Sequence, residues 1–235
     1  MIAMNRRLAL LSAVIATCAL ASHPPSSRAA AQEVVVPVTI VSDAKSSGPM
    51  QTAVLAGGCF WGVESVFEHV KGVQKVVSGY AGGAAKDADY DVVSTGRTGH
   101  AESVQVTFDP RQVSYGEILR VFFSVAHDPT QLNRQGPDTG TQYRSAVFYA
   151  DKTQKDVVTR YIQQLEGSGQ YRGRIVTRVD PLEGFYPAER YHQDFVEQNP
   201  MNPYVMFNDL PKLRELQKLY PSLYRDSTTS GLGPK

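Results

Sequence analysis

A compact α+β sandwich is the fold this chain predicts, and three observations predict it. Stretches of strand character interleave with stretches of helical periodicity between residues 51 and 220; the strands are short; and some strands follow one another with no helix between them, which a doubly wound parallel sheet does not allow. The chain has 235 residues, 42% hydrophobic and 20% charged, which suits one ordinary globular domain with tails.

The N-terminus comes first. Arg6 and Arg7 precede an apolar run from Leu8 to Leu20, and small-residue cleavage sites follow at Ala21 and Ala31, so residues 1–31 have the layout of a secretory signal peptide. The run is short for a membrane span. A lipobox acylated at Cys18 is a poor match, with Thr17 before the cysteine. The expected destination is the periplasm or cell envelope, with a lipoprotein form the lesser alternative. Residues 32–50 mix valines with Ser, Lys, Gly and Pro and read as a linker, with room for one strand from Val34 to Val41. The domain is expected over residues 51–225, and 226–235 as a disordered tail.

Within the domain, Thr52 to Ala56 is short and apolar enough for a buried strand, and Val63 to Val70 repeats apolar side chains at helical spacing. Val76 to Tyr80 reads as a strand, Ala81 to Asp89 as a loop and Tyr90 to Gly99 as an irregular segment. Val104, Val106 and Phe108 alternate with polar neighbours until Asp109-Pro110 stops the strand. Ser114 and Glu117 form a capping box for a helix whose buried stripe is Ile118, Leu119, Phe122 and Phe123. The loop from His127 to Gly140 is long enough to suggest function. A strand is expected at Gln142 to Tyr149, a helix from Asp151 to Leu165, a strand at Ile175 to Val179, an aromatic turn near His192, and a last helix from Leu210 to Leu219.

A near-neutral net charge of +1 gives no support for nucleic-acid binding. No cluster of spaced Cys or His builds a zinc site, and no bound cofactor or metal is expected. The cysteines are Cys18 and Cys59, so cleavage of the leader would leave Cys59 as a single thiol with no disulfide partner. Cys59 lies in Gly57-Gly58-Cys59-Phe60-Trp61-Gly62, where a strand turns into a helix. A thiol there faces unpaired N–H groups and the positive end of the helix dipole, which favours a nucleophilic thiolate; the alternative is an inert buried cysteine beside two core aromatics. Glu102, at a strand start, is either a solvated edge carboxylate or an acid with a raised pKa. Asp138, Tyr143 and Arg144 flank the end of the long loop. His100, His127 and His192 are each candidates to pair with the thiol.

Gly58-Cys59-Phe60-Trp61-Gly62 resembles the signature of the peptide methionine sulfoxide reductase A family. Gly79 to Gly83, Gly99 to Glu102, His127 to Pro129, and Gly136 to Ser145 resemble that family's other blocks in the same order, across roughly Gln51 to Tyr204. The resemblance implies a two-layer α+β sandwich with a mixed sheet, a ferredoxin-like core with family-specific extensions and a long coiled C-terminal segment. It implies that Cys59 attacks the sulfur of an S-configured methionine sulfoxide, free or in a protein, and becomes a sulfenic acid. Glu102 would protonate the sulfoxide oxygen, Tyr90 and Tyr143 would hold that oxygen, Phe60 and Trp61 would cradle the S-methyl group, and Asp138 and His192 would complete the substrate site.

One departure stands out. Relatives often carry resolving cysteines near the C-terminus, but Asn199 to Leu210 has none. Recycling therefore falls to an external thiol, a thioredoxin or thioredoxin-like protein. The partners expected are oxidised proteins or peptides and that reductant, with the protein itself a monomer. The competing readings are a non-catalytic module for oxidised or Met-rich peptides, and another cysteine chemistry such as a peroxidase or acyl transferase.

Overall fold

The computed structural model describes residues 45–226. The leader and its Cys18, the possible strand from Val34 to Val41, most of the linker and all but the first residue of the tail lie outside the described residues. Strands are β1 (Gln51–Gly57), β2 (Val73–Ala81), β3 (Ala101–Phe108), β4 (Arg134–Gln135), β5 (Asp138–Thr139), β6 (Ser145–Tyr149), β7 (Arg178–Pro181) and β8 (Phe185–Pro187). Helices are α1 (Phe60–Glu68), α2 (Tyr90–Val93), α3 (Tyr115–Val121), α4 (Lys152–Ser168), α5 (Phe195–Gln198) and α6 (Leu210–Leu219).

The main sheet has the order β7-β6-β1-β3-β2-β8. Its four central strands are mutually antiparallel, and the path β1-α1-β2-β3-α3-β6 across them is the split βαβ pattern of ferredoxin-like folds. Parallel pairing of β7 with β6, Ala146 opposite Arg178, makes the sheet mixed. The fold is α+β, as expected.

Side-chain alternation sorts the two faces. Leu55, Val104, Val106, Phe108 and Val147 join Val63, Val66 and Phe67 of α1, Ile118 and Leu119 of α3, and Val158, Tyr161 and Leu165 of α4 in the main core. The opposite face carries Val54, Ala56, Ala81, Ala101, Ala146 and Phe148. Its four alanines, Ala56, Ala81, Ala101 and Ala146, leave room for the twisted sheet to curl on itself. Gly82, just past β2, approaches the ring of Phe148 on β6 so closely that a Cβ there would lie 3.0 Å from it, although β3 and β1 run between.

Helix α1 begins at Phe60 with Cys59 as its N-cap, so the thiol lies at the strand-to-helix turn as expected. Two local expectations need correction. Gln142 to Arg144 is not strand: Thr141–Tyr143 is a 3-10 turn, bent because the buried Arg144 guanidinium reaches back to the carbonyls of Thr141, Gly99 and His100. The strand expected from Ile175 begins only at Arg178, because Val176 N–H donates to Pro129 O of the long loop instead of to the sheet. The irregular segment after Asp89 opens with a helical turn capped by the Asp89 carboxylate. The capping box at Ser114 forms as expected, and α4 starts at an Asp151 cap and ends at Gly169 in the left-handed region.

Candidate active site

Cys59 is held between β1 and α1 by glycines that have no room for side chains. Gly58 has φ +93°, and a Cβ there would run into Gln135 at 2.5 Å. Gly62 lies against the Asp209 carboxylate, which a Cβ would meet at 2.1 Å. The thiol is free and buried. Trp61 N–H and the Lys212 ammonium favour its ionised form, as a helix N-terminus should, yet burial first, then the charges of Glu102 and Asp209, push the thiol well above its ordinary range. The helix N-terminus therefore does act on the thiol, but it is outweighed. Desolvation wins because the thiolate would have to shed its water.

Glu102, on β3, settles between its two readings as a buried acid, 2% exposed. Its Oε2 accepts a hydrogen bond from Phe60 N–H at 3.1 Å, in the first turn of the helix that Cys59 caps. Burial raises the carboxyl to about 8 against that hydrogen bond, with the charge of Asp138 adding to the rise. At neutral pH it holds a proton beside the thiol.

Tyr90 and Tyr143 both sense the charges of Glu102 and Cys59, and burial raises both phenols. These four groups thus come together from α2, the 3-10 turn, β3 and the start of α1. A cleft of about 250 Å³ opens beside the thiol, lined by His127, Gln135, Asp138, Tyr204 and Lys212 among others. Tyr204 donates a short hydrogen bond to Asp138.

The aromatic residues divide. Phe60 is 1% exposed and packs on Tyr80 and His192, so it underlies the site. Trp61 stacks on Phe195 with centroids 3.7 Å apart and meets Tyr204 edge-on. Its Nε1–H donates to His192 Nδ1 at 3.1 Å, which leaves the His192 proton on Nε2. Burial lowers the His192 pKa and keeps the ring neutral. His127 has both nitrogens committed, to Phe122 O and to Ser145 Oγ, and burial lowers it to about 4. His100 bonds Ala84 O.

Against known proteins, residues 51–222 match the family model described as peptide methionine sulfoxide reductase. The chain is 57% identical over 184 residues to peptide methionine sulfoxide reductase MsrA 2 of Mesorhizobium japonicum, covering 78% of this chain and 94% of that one. This chain belongs to the peptide methionine sulfoxide reductase A family. A second MsrA 2, from Synechocystis, is 56% identical over 170 residues, 72% of this chain and 79% of that one. Among solved structures, Mxr1 of Saccharomyces cerevisiae in its reduced form superposes with a TM-score of 0.60 at 30% identity, covering 69% of this chain and 92% of that one. Methionine sulfoxide reductase A of Corynebacterium diphtheriae gives 0.57 at 38% identity, covering 68% and 79%.

In this reductase several site residues escape a reading of the sequence. Glu189 accepts from Tyr80 Oη and Tyr90 N–H at 2.8 and 2.9 Å, fixing the start of α2. Tyr204 anchors Asp138, and Asp209 and Lys212 reach the first turn of α1 from the C-terminal segment. A tyrosine among 12 carries no signal of its own. The Pro-punctuated stretch around Tyr204 does mark a chain held in place, and it is the available hint.

Proposed function

We propose that this member of the family reduces the S-epimer of methionine sulfoxide, in proteins and as the free amino acid. Cys59 Sγ attacks the sulfoxide sulfur while Glu102 passes its proton to the sulfoxide oxygen. With the thiol's own proton as the second, the oxygen leaves as water. Water then attacks Cys59 Sγ, the bond between Cys59 Sγ and the substrate sulfur breaks, methionine departs as the sulfide, and the proton that water gives up returns to Glu102. The net step is sulfoxide plus thiol to sulfide plus sulfenic acid: the substrate sulfur gains two electrons and Cys59 loses two. The observation that carries this reading is a protonated, buried Glu102 tied to Phe60 N–H in the same turn that holds the thiol. A high-pKa acid is what an oxide leaving group requires, and an inert binding module has no need of one.

Tyr90 and Tyr143 donate to the sulfoxide oxygen, Trp61 faces the S-methyl group over the Phe60 floor, and the Asp138–Tyr204 pair and the neutral His192 shape the site. An external dithiol, thioredoxin-like in kind, returns Cys59 to the thiol: sulfenic acid plus two thiols gives thiol, disulfide and water. The test is single turnover without reductant. The parent should yield one methionine and one dimedone-reactive Cys59 per chain, and C59S neither; turnover by C59S would sink the mechanism. The N-terminal layout supports export, which N-terminal sequencing of the envelope fraction checks: a new start after Ala21 or Ala31 is expected, and an intact Met1 refutes it.

A further inference from the structure

Helix α2, which opens with Tyr90, is a single turn of 4 residues, too short to hold its own place. Both of its ends are tied to other parts of the chain. Past its C-terminal end, Thr141 Oγ1 donates to Gly96 O at 2.6 Å and Gln142 Nε2 to Ser94 O at 3.1 Å, which joins α2 to the 3-10 turn carrying Tyr143. At its start, the Asp89 carboxylate serves Asp91 N–H, and the N–H of Tyr90 needs another acceptor. Glu189, 99 residues further on, provides it. Its Oε1 accepts from Tyr90 N–H at 2.9 Å, while Oε2 accepts from the hydroxyl of the buried Tyr80 at 2.8 Å.

Glu189 is itself held in place. Pro187 pairs with Gly79 in the sheet, Ala188 N–H donates to Ser78 O at 2.8 Å, and the Gln193 amide bonds both Ser78 N–H and Ser78 O. The backbone on either side of Glu189 is thus fixed to β2. Its own carbonyl accepts from His192 N–H at 2.9 Å, starting the 3-10 turn that brings the His192 ring to 4.4 Å from the Tyr90 ring, centroid to centroid. One residue therefore fixes Tyr90 twice, at its backbone through the carboxylate and at its ring through His192. Burial works against the charge of Glu189, but the bonds from Tyr90 N–H and Tyr80 outweigh it and hold the carboxyl below its ordinary range. It is an acceptor at neutral pH.

We propose that Glu189 is a positioning residue for the reduction: by holding Tyr90 N–H and the Tyr80 hydroxyl together, it sets the Tyr90 hydroxyl where the sulfoxide oxygen binds. It acts through Tyr90, not on the reacting atoms. The inference rests on the proposed role of Tyr90 as a donor to that oxygen.

The test is a double-mutant cycle in the full chain, read in kcat and KM for a methyl sulfoxide with dithiothreitol. Y90F removes one hydrogen bond to the oxygen and should lose about tenfold in kcat. E189L, which offers no acceptor, should lose the same factor with KM held within about threefold, whereas E189Q, whose amide oxygen still accepts from Tyr90 N–H, should stay within about threefold of the parent. In the Y90F/E189L double variant the two losses should not multiply, because Glu189 has no hydroxyl left to position. Losses that multiply to about a hundredfold overturn the proposal, since that marks a packing role alone. So does E189L or Y90F at the parental rate. If E189L does not fold, E189D, which draws the carboxylate back by one methylene, takes its place in the cycle with the same expectation.

A second readout needs no turnover. In a chain with isotope-labelled tyrosine rings, the Tyr90 NMR signal, assigned by its loss in Y90F, should shift and broaden in E189L. If it does so while the parent reduces no sulfoxide, the placement of Tyr90 by Glu189 stands and the proposed function falls. If the parent turns over normally and the signal does not move, only the Glu189 assignment falls.

Discussion

Replacing Glu102 with glutamine removes a proton and little else. The amide oxygen of Gln can still accept from Phe60 N–H, now at 3.1 Å from Glu102 Oε2, and the side chain keeps its volume in a site that is 2% exposed. With the carboxyl raised to about 8, roughly ten of every eleven parent molecules hold the proton at pH 7. Above pH 8 that share falls about tenfold per unit, so the sign is fixed: activity carried by this acid is present below about 8 and lost as pH rises through it. General-acid contributions are typically 10²–10⁴, or about 2.7–5.5 kcal/mol of transition-state stabilisation. E102Q should therefore lose that factor in kcat/KM for a methyl sulfoxide, mostly in kcat. Its pH profile should also lose the alkaline limb near 8, which belongs to Glu102 and Cys59 as a coupled pair. Steady-state rates with dithiothreitol between pH 6 and 10 provide the assay. An E102Q enzyme within about threefold of the parent, or one that retains the limb, refutes the assignment.

Two further variants probe the frame around the site. Glu64 and Glu68 of α1 are raised to about 8 and about 9, by burial first and then by neighbouring acids, Asp194 for the one and Glu64 for the other. The folded chain thus keeps protons that the unfolded chain releases above roughly pH 4.5, and stability should fall from pH 5 to pH 9. E68Q should flatten that slope and gain roughly 1–3 kcal/mol at pH 9 by urea unfolding; a parent whose stability rises with pH would show the sign to be wrong. Arg144 ties the carbonyls of Gly99, His100 and Thr141 together, between the turn carrying Tyr143 and the strand carrying Glu102. R144M should cost about 2–4 kcal/mol of stability, since charge-assisted donors are lost from all three, and should lower kcat more than tenfold. Parental melting and turnover in R144M would show the clamp to be idle.

Much of the frame was legible from local rules. Ser114 with Glu117, Asp151 before α4 and the alternation of Val104, Val106 and Phe108 are signals carried by a few adjacent residues, and the elements follow them. Where the structure departs from those local rules, a distant partner takes over the backbone. Arg144 bends residues 141–143 away from the sheet, and Pro129 draws Val176 off β6. Nothing within either segment announces those partners.

The sequence by itself determined the strand-to-helix turn at Gly57-Gly58-Cys59, the single thiol there, the family and the absence of a second cysteine in the C-terminal segment. These depend on residue identity and spacing within one stretch of chain. Only the tertiary structure decided the protonation of the site, because a pKa depends on what surrounds a group once water has been removed. Burial made Glu102 an acid and raised Cys59 against its own helix. The curled sheet and the returning C-terminal segment then brought Tyr90, Tyr143, Asp138, Tyr204 and Lys212 to a thiol from which they lie 31 to 153 residues away along the chain.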